Sequence, residues 1–220
     1  CRCFPMGNIP NRWWTWRCLL LPYVEQASLE QLVDYSYQPE CFQYAIAQYK
    51  VAPSKSPSNK LFPICTCPSD INGKKPWNDT TWTEYVSSDY FGVSGTTDTS
   101  FDGTLYDGSK VRFSDVTDGA SNTIGIGERG IPDDRYWGWV VCGWGLTGKG
   151  EGDSVLSTSL GFSKGDPKGA HNMHFWTYHP GGGEFTFVDG SVHFIGYSVD
   201  YRTFVGLGTR GGAESLGPFE

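Results

Sequence analysis

All four histidines of this 220-residue chain fall in one stretch. It reads His171-Asn-Met-His174-Phe-Trp-Thr-Tyr-His179-Pro-Gly-Gly-Gly and continues through Phe185-Thr-Phe-Val-Asp189-Gly190-Ser-Val to His193. Imidazole beside carboxylate is a donor set for zinc, copper or non-haem iron, so His171, His174 and His179 are candidate transition-metal ligands. A structural reading competes with this one. Alternation through Phe185, Phe187 and then Val192, Phe194 predicts a hairpin with Asp189-Gly190 at its turn. A hairpin sets His179 and Asp189 toward opposite ends of one strand. Asp189 then organises the turn, and His179 hydrogen-bonds backbone in the Gly-rich loop.

Oxygen donors offer a second metal reading. Asp98, Asp102 and Asp107 lie in a Gly/Thr/Ser-rich stretch, the composition that suits calcium, and calcium is the one candidate cofactor here. Their spacing does not match an EF-hand loop, and solvated acidic loops are the competing explanation. Cys65-Thr-Cys67 and Cys1-Arg-Cys3 are spaced one residue apart, not the two to four of a zinc knuckle, which argues against zinc on the cysteines. Glu84, Glu128, Glu151 and Glu184 could supply a glycosidase pair, but any chain of this length offers several carboxylates. No G-x-S-x-G elbow, P-loop or H-E-x-x-H occurs, and the expectation is that the protein is not an enzyme. Nine tryptophans raise a carbohydrate-binding alternative, and a metal-dependent hydrolase on the His-rich segment is a third reading. Asn78-Asp-Thr80 fits an N-glycosylation sequon.

The elements that must position these groups follow from composition and pattern. With 29 glycines, 13 prolines and two methionines, the chain reads as turn-rich and mostly β. A net charge of −7 argues against nucleic acid and anionic lipid as partners, and no apolar run reaches 18 residues. Leu19, Leu20, Tyr23, Val24, Ala27, Leu32 and Val33 recur at helical spacing, with a start or kink at Pro22. Ser28-Leu-Glu-Gln31 has capping-box form and predicts a second helix from Ser28; a third candidate spans 39–49, and 52–60 is a linker by composition. Short β-type runs follow at 83–93, 104–113, 123–128, 136–144, 184–187 and 192–197. Asp-Gly pairs at 102–103, 107–108, 118–119 and 189–190 punctuate them with tight turns. The expected fold is α+β: one domain over residues 1–220, with a helical and loop region at 1–60 and a β-rich, mainly antiparallel region at 61–220. Seven cysteines point to an oxidising compartment and up to three disulfides.

Taken in order, these segments resemble bacterial prepilin-type proteins, the type IV pilin-like and type II secretion pseudopilin-like subunits. His179, nine residues, then Asp189-Gly190 resembles their H-x9-DG motif. Trp14-Thr-Trp16 followed by Leu20-Leu-Pro-Tyr-Val-Glu-Gln26 is similar to their W-x-W and LLPYLEQ segments. Cys67-Pro-Ser-Asp70 is similar to CPSD, and Tyr90-Phe-Gly-Val-Ser-Gly95 to Y-x-G-x-x-G. Asp115-Val-Thr-Asp118-Gly119-Ala-Ser-Asn122-Thr-Ile124 with Gly127-Glu128 resembles DITDGTSNTI…GE, and Thr209-Arg-Gly-Gly-Ala-Glu214 also fits.

The resemblance implies a pilin-like globular head and a non-enzymatic subunit of an exported, cell-surface filament or pseudopilus. Its partners would be further copies and other pilin-like subunits. It supplies no catalytic residues: Asp118, Gly119, Asn122, His179, Asp189, Gly190 and Cys67 read as turn and loop architecture. Family members begin with an apolar anchoring helix, and this chain opens at Cys1, close to the Phe4-Pro5 that follows that helix. The expectation is that membrane contact would need that absent helix. A disulfide at Cys65 or Cys67 is expected, because a CPSD-type turn between loop and sheet gains from a covalent tie.

Overall fold

Alternation of large apolar side chains with small or polar ones decides which face of each strand is buried. In the computed structural model, which describes residues 3–36, 57–58, 60, 63–73, 85–135, 137–169 and 171–219, five strands form one sheet. They are β1 (Tyr90–Gly95), β2 (Ile124–Glu128), β3 (Val155–Ser157), β4 (Gly182–Phe187) and β5 (Val192–Gly196), in the order β3-β1-β2-β4-β5. The β1–β2, β2–β4 and β4–β5 pairs are antiparallel, and β3 runs parallel to β1. The fold is therefore mixed α and β, with few helices among the described residues.

One sheet face carries Phe91, Ile124, Phe185, Phe187 and Ile195. It is closed by Phe162, Phe175 and the helix at Tyr201–Gly206, which brings Phe204 and Leu207. Rings meet at 5.0 to 5.7 Å, mostly edge-on, in the Phe162–Phe185, Phe175–Phe185 and Phe185–Phe204 pairs. Each fully buried ring of this kind contributes about 1.5–3 kcal/mol by leaving water. Asp200 caps that helix by accepting the Thr203 N–H at 3.0 Å.

The opposite face is set by register: Tyr90 and Gly92 pair with Glu128 and Ile126, Ile126 with Thr186, and Thr186 with Val192. Helix α1 (Trp16–Leu20), a 3-10 turn at Leu21–Tyr23 carrying Pro22, and α2 (Ala27–Glu30) precede the sheet in sequence; the helix Tyr201–Gly206 is α3. A second apolar cluster gathers Trp14, Leu21, Leu29, Tyr85, Trp139 and Val141.

Several expected elements differ. Helix α2 starts at Ala27 with Gln26 at its cap and no capping side chain, so Ser28 lies inside the first turn. The 104–113 run is not a strand. Asp107-Gly108 places a left-handed residue (φ +67°) inside it, and only isolated bridges to Asn8 and Cys3 remain. The described part of the 136–144 run, from 137 on, is likewise irregular. Gly138 and Gly145 take positive φ, Arg17 draws on the Trp139 carbonyl, and pairing is reduced to bridges Ser87–Trp139 and Trp14–Cys142. Of the described residues 85–93 in the 83–93 run, only Tyr90 onward joins the sheet. Strand β3 and helix α3 were not foreseen. The 39–49 helix candidate, most of 52–60, Glu84 and Asn78 lie outside the described residues.

Gly138 is one of the positions where the backbone requires glycine. Its φ is +93°, and a Cβ there would collide with the Arg129 guanidinium and the Phe91 ring, whereas Gly148 (φ +77°) faces open space. Gly148→Ala should cost only the left-handed strain, about 1–2 kcal/mol. Gly138→Ala adds overpacking and should cost about 2–5 kcal/mol in total. Urea unfolding of both variants checks this; an equal or smaller loss for Gly138→Ala would refute the packing around Phe91.

Candidate functional site

Three distant segments converge on one point beside the end of β2. Cys67 follows a 3-10 turn (Pro63–Cys65) and opens a tight loop in which the Asp70 N–H donates to the Cys67 carbonyl at 3.0 Å. The Asp70 carboxylate fixes this loop by accepting the Asn72 and Gly73 N–H groups through one oxygen and the Ile131 N–H, at 2.8 Å, through the other. Glu128 is the last residue of β2 and accepts the Glu184 N–H at 3.3 Å. His179 stands just before β4, on a segment tied to the chain after β2 by the Gly130 N–H bond to the Trp176 carbonyl. The Thr177 hydroxyl donates to the Gly182 carbonyl at 2.6 Å and accepts the His179 N–H at 3.0 Å.

The result is compact. His179 Nε2 lies 3.3 Å from Cys67 Sγ and 3.4 Å from Glu128 Oε1. Cys67 and Glu128 are buried, while the His179 side chain keeps 28% of its surface. Burial, reinforced by Glu128, pushes the Cys67 thiol up to about 12. Glu128 is raised by burial, against the lowering contacts of Cys67, the Glu184 N–H and His179. Beneath them Asp89 accepts the Cys67 N–H at 2.7 Å; burial and the neighbouring Asp70 carboxyl hold it well above the usual carboxylate range.

His179 thus corrects the expectation that its ring hydrogen-bonds loop backbone: the ring meets a thiol and a carboxylate. Nor do three of the histidines converge among the described residues. His171 Nδ1 approaches His174 Nε2 at 2.6 Å, and His174 Nδ1 donates to the Phe175 carbonyl at 3.0 Å. His174 is lowered by burial and by His171, which fits a neutral ring whose Nε2 accepts the His171 N–H. His193 Nε2 sits 3.0 Å from the Ser191 hydroxyl.

Two of the three aspartates of the calcium reading are taken up separately. Asp98 accepts the Ser157 hydroxyl at 2.5 Å, and Asp102 accepts Thr96 and Ser100 at 2.6 to 2.7 Å. Asp107 is raised by burial. Among the described residues, the cluster with metal-ligand spacing is Cys67, Glu128 and His179. Sequence reasoning named His179 both as a candidate transition-metal ligand, with His171 and His174, and as loop architecture, Cys67 as loop architecture alone, and Glu128 only as one of several carboxylates.

At the hairpin turn Asp189 accepts the Ser191 N–H at 2.9 Å and its hydroxyl at 2.6 Å, with Gly190 at φ +89°. Asp118 accepts the Gly212 and Ala213 N–H groups, both at 2.8 Å, and Asn122 donates back to the Asp118 carbonyl across Gly119. The expected disulfide at Cys65 or Cys67 does not form: both are thiols, one buried near Arg17 and the other turned to His179. Cys142 is disulfide-bonded.

Comparison with known proteins adds a family. The family model described as "Protein of unknown function (DUF1559)" matches residues 1–202. No curated protein and no solved structure matches.

The raised thiols make a reactivity test. Burial pushes Cys18, Cys65 and Cys67 up to about 12, so in chelator at pH 8 the native chain should expose roughly a thousandfold fewer thiolates at these positions than the unfolded chain. Timed iodoacetamide labelling with peptide mass spectrometry should show them protected until denaturant is added. Fast native labelling of Cys65 or Cys67 would contradict the burial described.

Proposed function

This chain belongs to the DUF1559 family, and we propose that it is a non-enzymatic structural subunit of an exported filament or pseudopilus, working through assembly rather than turnover. The family is associated with pilin-like proteins, and the motif resemblance runs in consistent order along the chain. The observation that carries the reading is the second face of the sheet. Tyr90, Ile126, Thr186 and Val192 form with Trp16, Leu20 and Ile64 an open, mainly apolar groove of about 430 Å³. Val192 keeps 59% and Phe194 44% of its surface, and Ile64 is also exposed. A contiguous apolar face of this kind marks an interaction surface. Its occupant, in this reading, is the apolar helix of a pilin-type subunit, laid across the sheet from α1 toward β5. Among the described residues no helix is long and apolar enough to cross a membrane. The disulfide at Cys142 supports an oxidising, exported location.

The other readings have less behind them. A sugar platform needs coplanar exposed tryptophans. Trp14, Trp16, Trp139 and Trp176 are buried, and Trp13 meets Trp144 edge-on at 68°. A metal-dependent hydrolase on the His-rich segment needs at least three of the four histidines to converge, whereas His171 meets His174 and His179 meets Cys67 and Glu128.

Val192→Asp with Phe194→Asp tests the reading. Both side chains are exposed, so folding stability of the isolated chain should stay within about 0.5 kcal/mol per site. In native cells the wild-type protein should repeat along a fibre imaged by cryo-electron microscopy, and the double variant should be lost from it. Recovery of wild-type protein solely as a free monomer would sink the proposal.

A further inference from the structure

We propose that Cys67, Glu128 and His179 bind a zinc ion through Sγ, Oε1 and Nε2, with water as the fourth ligand. This goes beyond the assembly reading and does not depend on it.

Geometry is the first argument. Ligands on a tetrahedral zinc, with bonds of about 2.0–2.2 Å to nitrogen and oxygen and about 2.3 Å to sulfur, lie about 3.3–3.6 Å from one another. The observed edges are 3.3 Å from Nε2 to Sγ and 3.4 Å from Nε2 to Oε1, and all three donor atoms fall within 4.8 Å of each other. A plain His–carboxylate hydrogen bond would close to about 2.7–3.2 Å, which this pair does not do. One ring nitrogen addressing both neighbours is the arrangement of donors around a common centre.

Charge is the second argument. A thiolate and a carboxylate placed side by side and out of water each disfavour the other's ionisation. A divalent cation balances the two, with a neutral imidazole as third donor, and the mixed sulfur, nitrogen and oxygen set matches zinc rather than calcium or magnesium.

Support around the donors is the third. The Glu184 N–H holds the second oxygen of Glu128, Asp89 holds the Cys67 backbone, and Thr177 fixes the backbone of His179, so each donor is oriented by a bond outside the centre. Exposure of His179 leaves the fourth position open to water.

The test uses the 220-residue chain. Purified without chelator, it should carry one zinc per molecule by elemental analysis. Stripped and refilled with cobalt(II), it should show the ligand-field bands of a four-coordinate ion together with a thiolate-to-metal charge-transfer band. Cys67→Ser should abolish that band, and Cys67→Ser, Glu128→Gln and His179→Gln should each weaken zinc binding roughly a hundredfold. The zinc-induced rise in Tm seen in wild type should vanish with them. His171→Ala with His174→Ala should leave zinc affinity unchanged. Circular dichroism in chelator verifies folding; if Cys67→Ser fails to fold, the other two variants and the wild-type cobalt spectrum decide. Absence of stoichiometric metal after refilling, a cobalt spectrum without the thiolate band, or loss of binding in the His171/His174 variant alone would overturn the assignment.

Discussion

Two guanidinium groups removed from water constrain this structure more than any other feature. Arg17 and Arg129 are fully buried and lie against the Phe91 ring, their Cζ atoms 5.0 and 4.2 Å from its centroid. Desolvation lowers both to about 10, still charged at neutral pH. A buried charge without partners costs several kcal/mol, so the backbone must solvate it. Arg17 donates to the carbonyls of Tyr90, Trp139 and Asp153, and Arg129 to those of Gly130 and Gly152. Each carbonyl turned to a guanidinium gives it one of its lone pairs and fixes the local chain direction. The stretch around Trp139, which gives Arg17 a carbonyl, touches its neighbours by single bridges, and Gly138 passes close to Arg129. Asp153, pushed up by burial to about 6, anchors the same loops by accepting the Gly138 and Gly145 N–H groups.

What was legible in the sequence is what local spacing encodes. Alternation around Asp189-Gly190 marked the hairpin of β4 and β5, the 123–128 run overlaps β2, and Pro22 marked the break after α1. Strand β3 is three residues long and owes its existence to β1, so no local period announces it. Helix α3 did leave a signal in Asp200 as a cap three residues before Thr203, followed by Phe204 and Leu207 on one face. The candidate centre was out of reach for a different reason. Cys67 and His179 are 112 residues apart, and spacing rules for metal motifs search within a segment. Judging the cysteines by their mutual spacing, and the histidines by theirs, missed a site drawing its donors from two loops and the end of a strand.

The groove and the three-donor cluster share β2. Ile126 lines the groove, and Glu128, two residues on, belongs to the cluster; Tyr90, its partner across the ladder, is again in the groove. Tying Cys67 and His179 to Glu128 pins the loops on both sides of the strand end that borders the apolar face. A change at the cluster therefore reaches the face through the backbone of a single strand.

Arg17 also has a temporal consequence. Its carbonyl partners lie 73, 122 and 136 positions further along the chain. At ribosomal speeds of roughly 5–20 residues per second, Asp153 is synthesised on the order of ten seconds after Arg17. Until then the first helical segment holds a charge that no nearby backbone can satisfy in a dry interior. Its native burial must wait for loop closures of high contact order, which are slow in folding. The core around Arg17 can therefore consolidate only when most of the chain's length is present.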